Sequence, residues 1–251
     1  MISSLKALAI ALLICTLPLG AAAEELTARQ VLDRVDDLFR GESCRGEMSM
    51  HVVTANYQRG LSLAFVTKGK DKSLFRILAP KKEEGAATLR VGPDVWNYLP
   101  KVRRVIKLPG SMMSASWMGS HFTNDDLVKE SRMSQDYTFK VVFRGVREGK
   151  KIMEIDCRPK PRAAVVWGKV LLEVWEERYL PLVIRYYDED LKLSRTMVFD
   201  QIKDFGKRRL PARVAITPAD KPGESTEVLY HRLEFNQAAP DGVFSIRNLT
   251  R

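Results

Sequence analysis

The sequence predicts a mainly β protein built on one large antiparallel sheet of about eleven strands that curls into a barrel or half-barrel. Three observations support this fold class. Apolar and polar residues alternate with a period of two over most of the chain. Helical patterns are limited to one N-terminal helix and a broken segment near residues 109–131. No linker rich in Pro, Gly or Ser divides the chain, which favours a single domain.

The interior of such a barrel is expected to hold an apolar cavity. A sheet with one apolar face has to cover that face, and this chain has too little helix to fill the inside of a curled sheet. The alternative is a two-sheet β-sandwich that packs against itself and leaves no cavity.

Residues 1–23 are predicted to be a cleaved secretory signal peptide. Lys6 precedes an apolar run from Ala7 to Leu19, and Ala21 and Ala23 form an A-x-A cleavage pattern. Cleavage after Ala23 would release the protein into an oxidising compartment outside the cytoplasm.

Two alternatives to simple cleavage stay open: retention of the segment as an anchor, and lipid attachment at Cys15. Ile14 stands where a lipoprotein signal has a small residue, which argues against the second. Residues 24–251 are expected to form one domain. Its two cysteines, Cys44 and Cys157, either form a disulfide or are two small buried residues.

The first element of that domain is predicted to be an amphipathic helix. Thr27 and Gln30 have the spacing of a capping box, and Gly41 is a suitable end point. The helix carries an apolar stripe that must pack against the sheet. The stripe consists of Val31, Leu32, Val35, Leu38 and Phe39.

Alternation after this helix predicts strands that are apolar on one face only. The apolar faces include Met48, Met50 and Val52; Leu61, Leu63 and Phe65; and Val170, Leu172 and Val174. Asp188–Asp190 is predicted to be the turn of a hairpin and not a cluster of catalytic carboxylates.

The net charge of +10 limits the classes of partner. A basic surface attracts nucleic acid, anionic lipid or an acidic protein. Export argues against nucleic acid, and the bases are scattered through the strand patterns. A solvated surface and attraction to anionic headgroups remain as interpretations.

The broken segment near the middle of the chain has two interpretations. Its apolar residues are Met112, Met113, Trp117, Met118 and Phe122. They form either ordinary core or a lid over the cavity, for which flexible methionines are well suited.

The spacing within this segment predicts two short helices. Met113 and Trp117 lie four residues apart, as on one face of a helix. Thr123 and Asp126 have capping-box spacing for a second helix.

Catalytic and metal sites are not predicted. His121 and Asp125 could be taken for a metal pair, but zinc sites usually have three or four ligands. The chain lacks a G-x-S-x-G elbow, a G-x-G-x-x-G motif and a P-loop. We expect no cofactor and no enzymatic activity. A hydrolase with a dispersed site at His121, Asp125 and Asp126 is the alternative.

Several stretches resemble the bacterial outer-membrane lipoprotein-sorting proteins, the LolA-like periplasmic carriers. The similarity is strongest over residues 71–131. The stretches are "RGESCRGEMSM", "DKSLFRILAPKKEEGAATLRVGPDVWNYLPKVRRVIKLP", "SMMSASWMGSHFTNDDLVKES", "AAVVWGKVLLEVW" and "YLPLVIRYYDED".

This resemblance implies a half-open antiparallel β-barrel, an N-terminal helix, a short helical lid and a periplasmic location. It implies that the cavity takes acyl chains from an inner-membrane transporter, of the ABC or RND type, and passes them to an outer-membrane receptor. The candidate cavity and lid residues are Met112, Met113, Trp117, Met118, Phe122, Trp96 and Tyr98. In such carriers an arginine inside the barrel holds the lid shut, and Arg90 and Arg104 are the candidates here.

The favoured function is therefore a periplasmic carrier of lipid or lipoprotein acyl chains. The alternative is a non-enzymatic accessory or sensor subunit of an envelope transporter.

Overall fold

We describe the protein from a computed structural model that covers residues 26–129, 133–163 and 165–251. The predicted signal peptide, its cleavage site and Cys15 lie outside the described residues. No helix within these ranges is both long and apolar enough to cross a lipid bilayer.

One antiparallel sheet of thirteen strands dominates the described part of the chain. The strands are β1 Ser43–Val53, β2 Gln58–Lys68, β3 Lys72–Ala79, β4 Ala87–Val91, β5 Asp94–Leu99, β6 Arg104–Lys107, β7 Tyr137–Arg147, β8 Lys150–Pro159, β9 Lys169–Trp175, β10 Leu180–Tyr187, β11 Leu193–Phe205, β12 Arg208–Pro218 and β13 Ser225–Phe235.

The sheet is open between β6 and β7. Its strand order is β6-β5-β4-β3-β2-β1-β13-β12-β11-β10-β9-β8-β7. Every strand pairs with the next one along the chain, except β6 and β7, which form the two edges of the sheet. The first and last strands, β1 and β13, also pair with each other. The predicted half-open antiparallel barrel is confirmed, and a single continuous sheet forms instead of a two-sheet sandwich.

The sheet has more strands than the predicted number of about eleven because three of them are short. β4, β5 and β6 contain 5, 6 and 4 residues. β4 is also buried on both faces, at Ala87, Thr88, Leu89 and Arg90. Strands this short, or buried on both sides, show little alternation in the sequence.

The helices in the described ranges are α1 Ala28–Arg40, α2 Asn124–Lys129, α3 Met133–Asp136 and α4 Ile246–Leu249. The predicted capping box of α1 is confirmed. The Thr27 hydroxyl accepts from the Gln30 N–H at 3.3 Å, and the Gln30 side chain accepts from the Thr27 N–H at 2.8 Å. Gly41 ends the helix with φ +61°, a conformation that glycine adopts without strain.

Contacts at its C-terminal end fasten α1 to the sheet. Arg208 on β12 donates to the carbonyl oxygens of Asp37 and Leu38 at 2.6 and 2.7 Å. The Asp37 carbonyl also accepts from the Gly41 N–H at 3.1 Å. A cation from the sheet at this end of the helix binds both carbonyls and interacts favourably with the helix dipole. The apolar stripe packs on the sheet, with Val31 and Leu32 buried.

The main core lies on the concave face of the curled sheet. The predicted apolar faces are confirmed, because the alternating residues of β1, β2 and β9 are buried there. They include Met48, Met50, Val52, Leu61, Leu63, Phe65, Val170, Leu172 and Val174. Cys44 and Cys157 are also buried in this core, as free thiols, so the disulfide is not formed.

A second core lies on the opposite face of the short strands. There Leu74, Ala87 and Leu89 pack against Phe244 and Leu249 from the C-terminal segment. The first core and the second thus use opposite sides of β3 and β4, which explains why β4 is buried throughout.

The hairpin predicted at Asp188–Asp190 is confirmed. β10 pairs with β11, the Leu191 N–H donates to the Asp188 carbonyl at 3.1 Å, and the Asp188 carboxylate accepts from the Lys192 N–H at 2.8 Å. The aspartates therefore have a structural role in the turn.

We expect Leu63→Ala to lower the free energy of unfolding by about 2–5 kcal/mol, because Leu63 is fully buried and its removal leaves a cavity. Urea denaturation followed by circular dichroism measures this change. Leu193→Ala is the control, since Leu193 is exposed and should change stability by no more than about 0.5 kcal/mol. Equal effects of the two substitutions would contradict the assignment of the core.

Candidate ligand cavity and its covering segment

A cavity of about 250 Å³ lies between α1 and the concave face of the sheet. Most of its lining is apolar or aromatic. α1 contributes Leu32, Val35 and Phe39, and the strands contribute Cys44, Phe65, Phe75, Leu172, Pro181, Ile184, Tyr186, Met197, Phe199, Val214, Tyr230 and Leu233. The incompletely filled interior expected from the sequence is therefore present.

Charged side chains line one side of this cavity. Asp33, Asp36, Arg40 and Lys70 belong to the lining. Asp36 accepts from Arg40 at 2.5 Å and from Lys70 at 3.1 Å. An apolar interior beside a paired, charged margin suits a ligand that has an apolar body and a polar end.

Cys44 is the one thiol in the lining. Burial raises its pKa to about 12, so the side chain stays a neutral thiol at physiological pH. It acts as a small apolar residue here and not as a nucleophile.

Residues 110–126, which follow β6, pack over the concave face of the sheet. We call residues 110–126 the covering segment. It follows β6 and leads through α2 and α3 to β7. Phe122 from this segment lines the cavity, as does Met133 from α3.

The prediction of a helix through Met113 and Trp117 is wrong. The chain instead forms two 3-10 turns, Gly110–Met112 and Trp117–Gly119. Ser116 forms a bridge with Thr123, and the Trp117 N–H donates to the Phe122 carbonyl at 2.8 Å. This back-folding of the chain replaces the helical hydrogen bonds that the spacing predicted.

The second predicted helix start is confirmed. The Asp126 carboxylate accepts from the Thr123 N–H at 2.7 Å, and the Thr123 hydroxyl accepts from the Asp126 N–H at 3.2 Å. Aspartate therefore completes this capping box, although glutamate is preferred at that position.

Trp117 is the most deeply buried of the predicted lid residues, at 3% exposure. Its indole N–H donates to the Thr88 hydroxyl at 3.1 Å. Its ring makes edge contacts with Phe75 and Phe122, at centroid distances of 5.2 and 6.3 Å. Since both phenylalanines line the cavity, Trp117 backs the cavity wall without lining it.

The three methionines of the covering segment differ in exposure. Met112 is exposed, Met113 is partly buried, and Met118 is partly buried against the main core. None of the three lines the cavity as the structure shows it.

Trp96 and Tyr98 lie away from this cavity, contrary to the prediction. They pack in the second core, on the opposite face of the sheet. On β5 the residues that share the concave face with Thr88 and Trp117 are Val95 and Asn97, and Asn97 accepts from the Thr88 hydroxyl at 2.7 Å. The alternation of side chains therefore directs both aromatic residues outward.

The arginine that binds the covering segment is Arg195, which the sequence reasoning missed. Its two terminal nitrogens donate to the Asp126 carboxylate at 2.8 and 2.6 Å, and one also donates to the His121 carbonyl at 2.9 Å. The side chains of Arg195 and Asp126 are only 5% and 8% exposed. Its guanidinium lies 4.3 Å from the ring centroid of Tyr186, which lines the cavity.

A signal for Arg195 was present in the sequence. In β11, Met197 and Phe199 line the cavity, and Arg195 lies two residues before Met197, on the same face of the strand. A charged residue on the otherwise apolar face of a strand indicates an ion pair in the interior.

The two predicted latch residues lie elsewhere. Arg90 is buried on the concave face of β4, where it donates to the Gly92 carbonyl at 3.0 Å. Arg104 is exposed on the edge strand β6. Of these two predicted residues, Arg90 is buried and Arg104 is exposed.

Further polar contacts join the covering segment to the start of β2. Arg59 donates to the Met118 carbonyl at 2.7 Å, and the Tyr57 hydroxyl donates to the Gly119 carbonyl at 2.6 Å. Both donors precede or begin β2, so this strand fixes the turn around Trp117.

His121 is bound on both ring nitrogens. Nδ1 lies 2.8 Å from the Thr226 hydroxyl, and Nε2 lies 3.0 Å from the Glu224 carboxylate. The Ala55 N–H and His121 hold the pKa of Glu224 below its usual range.

Two of the three residues of the dispersed hydrolase alternative have structural partners in this geometry. Asp126 is occupied by Arg195 and by its own helix cap, and His121 is engaged by β13 and the residue before it. Among the described residues, no three His, Cys, Asp or Glu side chains lie close enough together to hold a metal ion.

Comparison with known proteins places the chain in a structural family. A family model described as "Uncharacterized protein" matches residues 69–251. No curated protein matches the chain.

Three solved structures have the same fold. An outer membrane lipoprotein-sorting protein domain from Vibrio parahaemolyticus is 22% identical with a TM-score of 0.77, covering 89% of this chain and 98% of that one. A LolA superfamily protein from Nitrosomonas europaea is 21% identical with a TM-score of 0.75, covering 89% and 100%. A DUF1329 family protein from Desulfovibrio piger is 19% identical with a TM-score of 0.79, covering 88% and 97%. At these identities the likeness establishes a common LolA-like fold.

We expect Arg195→Met and Asp126→Asn each to loosen the covering segment more than the sheet. Breaking a buried ion pair from one side costs about 3–5 kcal/mol, because the remaining charge is left uncompensated. Amide hydrogen exchange of residues 117–126, compared with that of β1, measures the effect.

The double variant should lose less protection than the sum of the two single variants. The pair Arg213 and Asp200, which joins β12 to β11 at the surface, is the control and should contribute no more than about 1 kcal/mol. Strict additivity at Arg195 and Asp126 would show that the two side chains do not act together.

Proposed function

The chain belongs to the family whose model matches residues 69–251 and has the LolA-like fold, and on this premise we propose that it is a periplasmic carrier of lipid or lipoprotein acyl chains. In this proposal residues 1–23 are removed as a signal peptide, and residues 24–251 form one domain. The apolar cavity of about 250 Å³ beneath α1 is the observation that carries the proposal.

The cavity can bind a hydrocarbon chain without a catalytic or charged anchor. Each methylene group that leaves water contributes about 0.8 kcal/mol. Burial of about ten methylenes would then supply about 8 kcal/mol, part of which offsets the entropy lost on binding. Phe65, Tyr230 and Phe199 give the lining large apolar surfaces for such a chain.

A full acyl chain requires the cavity to grow. Its volume of about 250 Å³ is below the range of roughly 300–1,000 Å³ that is typical of pockets for small organic ligands. The covering segment is the part that can yield, because it forms 3-10 turns and loops and is held to the strands by separate side-chain contacts. We therefore assign it the role of a lid that is closed when the cavity is empty.

The methionines of this lid fit that role. Met113 and Met118 are partly buried and Met112 is exposed, and flexible side chains such as these can repack around chains of different length. Phe122 would be displaced first, because it is the lid side chain that lines the cavity.

The carrier would act between two membranes. In this proposal an inner-membrane transporter of the ABC or RND type supplies the acyl chain and an outer-membrane receptor accepts it. The protein itself needs no cofactor and catalyses no reaction, because reversible burial of hydrocarbon is sufficient.

The second candidate is a non-enzymatic accessory or sensor subunit of an envelope transporter. Exposed valines on the edge strand β7 favour it, since Val142 and Val146 would be covered if a partner added a strand there. Recovery of a stoichiometric membrane protein together with a lipid-free cavity would support this candidate over the carrier.

We expect Val214→Phe to abolish most acyl-chain binding, because Val214 lines the cavity and a larger ring would fill it. Displacing two methylenes of ligand costs about 1.6 kcal/mol, or about a fifteenfold loss of affinity. Titration with a fluorescent fatty acid measures the affinity, and native mass spectrometry of the protein from periplasm detects bound lipid.

Val198→Phe is the matched control. Val198 lies on β11, beside the strand that carries Val214, but is exposed. The proposal fails if the protein binds no acyl chain, or if both variants bind as tightly as the natural protein.

We expect Trp117→Ala to weaken acyl-chain binding more than it lowers the melting temperature, because the lid can detach while the sheet stays folded. A tryptophan of the permanent core would instead cost about 3–5 kcal/mol of stability. Trp175→Ala is the control, since Trp175 is partly buried on β9 and does not line the cavity. A large loss of stability with unchanged affinity would assign Trp117 to the core and not to a lid.

A further inference from the structure

The hairpin of β5 and β6 carries an exposed surface that is both apolar and basic. We call residues 99–112 the tip patch. Its turn is the 3-10 helix Pro100–Val102, in which Val102 is 59% exposed. Its other exposed apolar side chains are Leu99, Ile106 and Met112.

All charges within the tip patch are positive. Residues 99–112 contain Lys101, Arg103, Arg104 and Lys107 and no acid. Lys107 pairs with Asp94 at 2.9 Å, whereas Lys101, Arg103 and Arg104 are exposed and make no ion pair with any other residue that the structure describes.

The neighbouring loop does not neutralise this charge. Gly85 lies close to Pro100, so the loop that precedes Gly85 lies beside the patch. Its two acids are already engaged, Glu83 by Arg59 and Glu84 by Lys81 at 2.7 Å.

Protection of an edge strand explains the bases of the tip patch but not its exposed apolar side chains. Edge strands often carry bases because these discourage pairing with a second chain. Exposed apolar side chains have the opposite effect, since an apolar edge invites association. The combination of Val102 and Ile106 with three unpaired bases is typical of segments that lie on anionic bilayers, where apolar side chains enter and bases bind headgroups.

We propose that the tip patch docks the protein on an anionic phospholipid surface. Val102 and Leu99 enter among the headgroups, and Lys101, Arg103 and Arg104 bind their phosphates. This inference goes beyond the proposed carrier function and does not depend on what the cavity binds.

The position of the tip patch gives the docking a consequence. On β5 and β6 the side chains of Leu99, Arg104 and Ile106 share the concave side with Asn97, which contacts Thr88 below Trp117. β6 also leads directly into the covering segment at Gly110. A bilayer bound at the tip patch therefore lies beside the segment that closes the cavity.

Vesicle cosedimentation with residues 24–251, which contain every described element, tests the charged part. Vesicles of phosphatidylethanolamine and phosphatidylglycerol should bind the protein, and vesicles of phosphatidylcholine alone should not. Each base near an anionic surface contributes about a fivefold gain in affinity, so the triple variant Lys101→Gln, Arg103→Gln and Arg104→Gln should bind about a hundredfold more weakly.

A second triple variant controls for net charge. Lys203→Gln, Lys207→Gln and Arg209→Gln remove the same charge from exposed positions on the β11–β12 hairpin. This variant should keep most of the affinity. Equal losses in the two triple variants would overturn the proposal, because they would show attraction by the net charge alone.

A labelled cysteine tests the apolar part. Cys44 and Cys157 are buried, and burial raises the pKa of both thiols, so Val102→Cys would react selectively with an environment-sensitive fluorophore. Phosphatidylglycerol vesicles should shift the emission to shorter wavelength at position 102. The same label at Val146→Cys, which is 66% exposed on β7, should not respond.

Two further results would overturn the proposal: no binding of the natural protein to anionic vesicles, or binding only to membranes that contain a protein partner. A failure here is distinguishable from failure of the carrier function, because Val214→Phe should bind vesicles normally while losing acyl chains. The fluorescent fatty-acid titration is also carried out on the two triple variants, so that acyl-chain binding is measured separately from vesicle binding.

Discussion

The open edge of the sheet is the constraint on which the rest of the structure depends. Because consecutive strands pair and β1 joins β13, the interruption falls between β6 and β7 in the middle of the chain. Residues 110–126, which follow the β6 edge, pack over the concave face beside this opening. Topology therefore places the start of the covering segment beside the open edge, and the contacts of its own residues fix it over the concave face.

Polar and apolar contacts have separate roles in that seal. The cavity wall is apolar, and Trp117, Phe75 and Phe122 form a continuous aromatic contact along it. The contacts that fix the position of the segment are polar, and the most buried of those described join Arg195 to Asp126. Directional bonds specify one closed arrangement, whereas non-directional packing tolerates a guest of variable shape.

The sequence predicted most of the features that depend on local spacing, although the helix through Met113 and Trp117 did not form. The capping boxes at Thr27 and Thr123 and the one-sided strands follow from hydrogen-bond geometry and side-chain alternation within a few residues. It did not predict the face to which Trp96 points, because β5 is a 6-residue strand with an apolar layer on each side. Arg195 was missed for a related reason: its partner Asp126 is 69 residues away, and pairing at that distance is decided by the fold.

The pairing of β1 with β13 has a consequence for how the chain can be divided. This ladder runs from the pair of Cys44 and Phe235 to the pair of Val53 and Ser225, and it is the seam between a half made of β1–β6 and a half made of β7–β13. A single proteolytic nick within residues 110–126 would break no strand pairing. Two fragments produced separately could then reassemble along this seam, which makes the protein suited to complementation experiments in which the cavity is rebuilt from its halves.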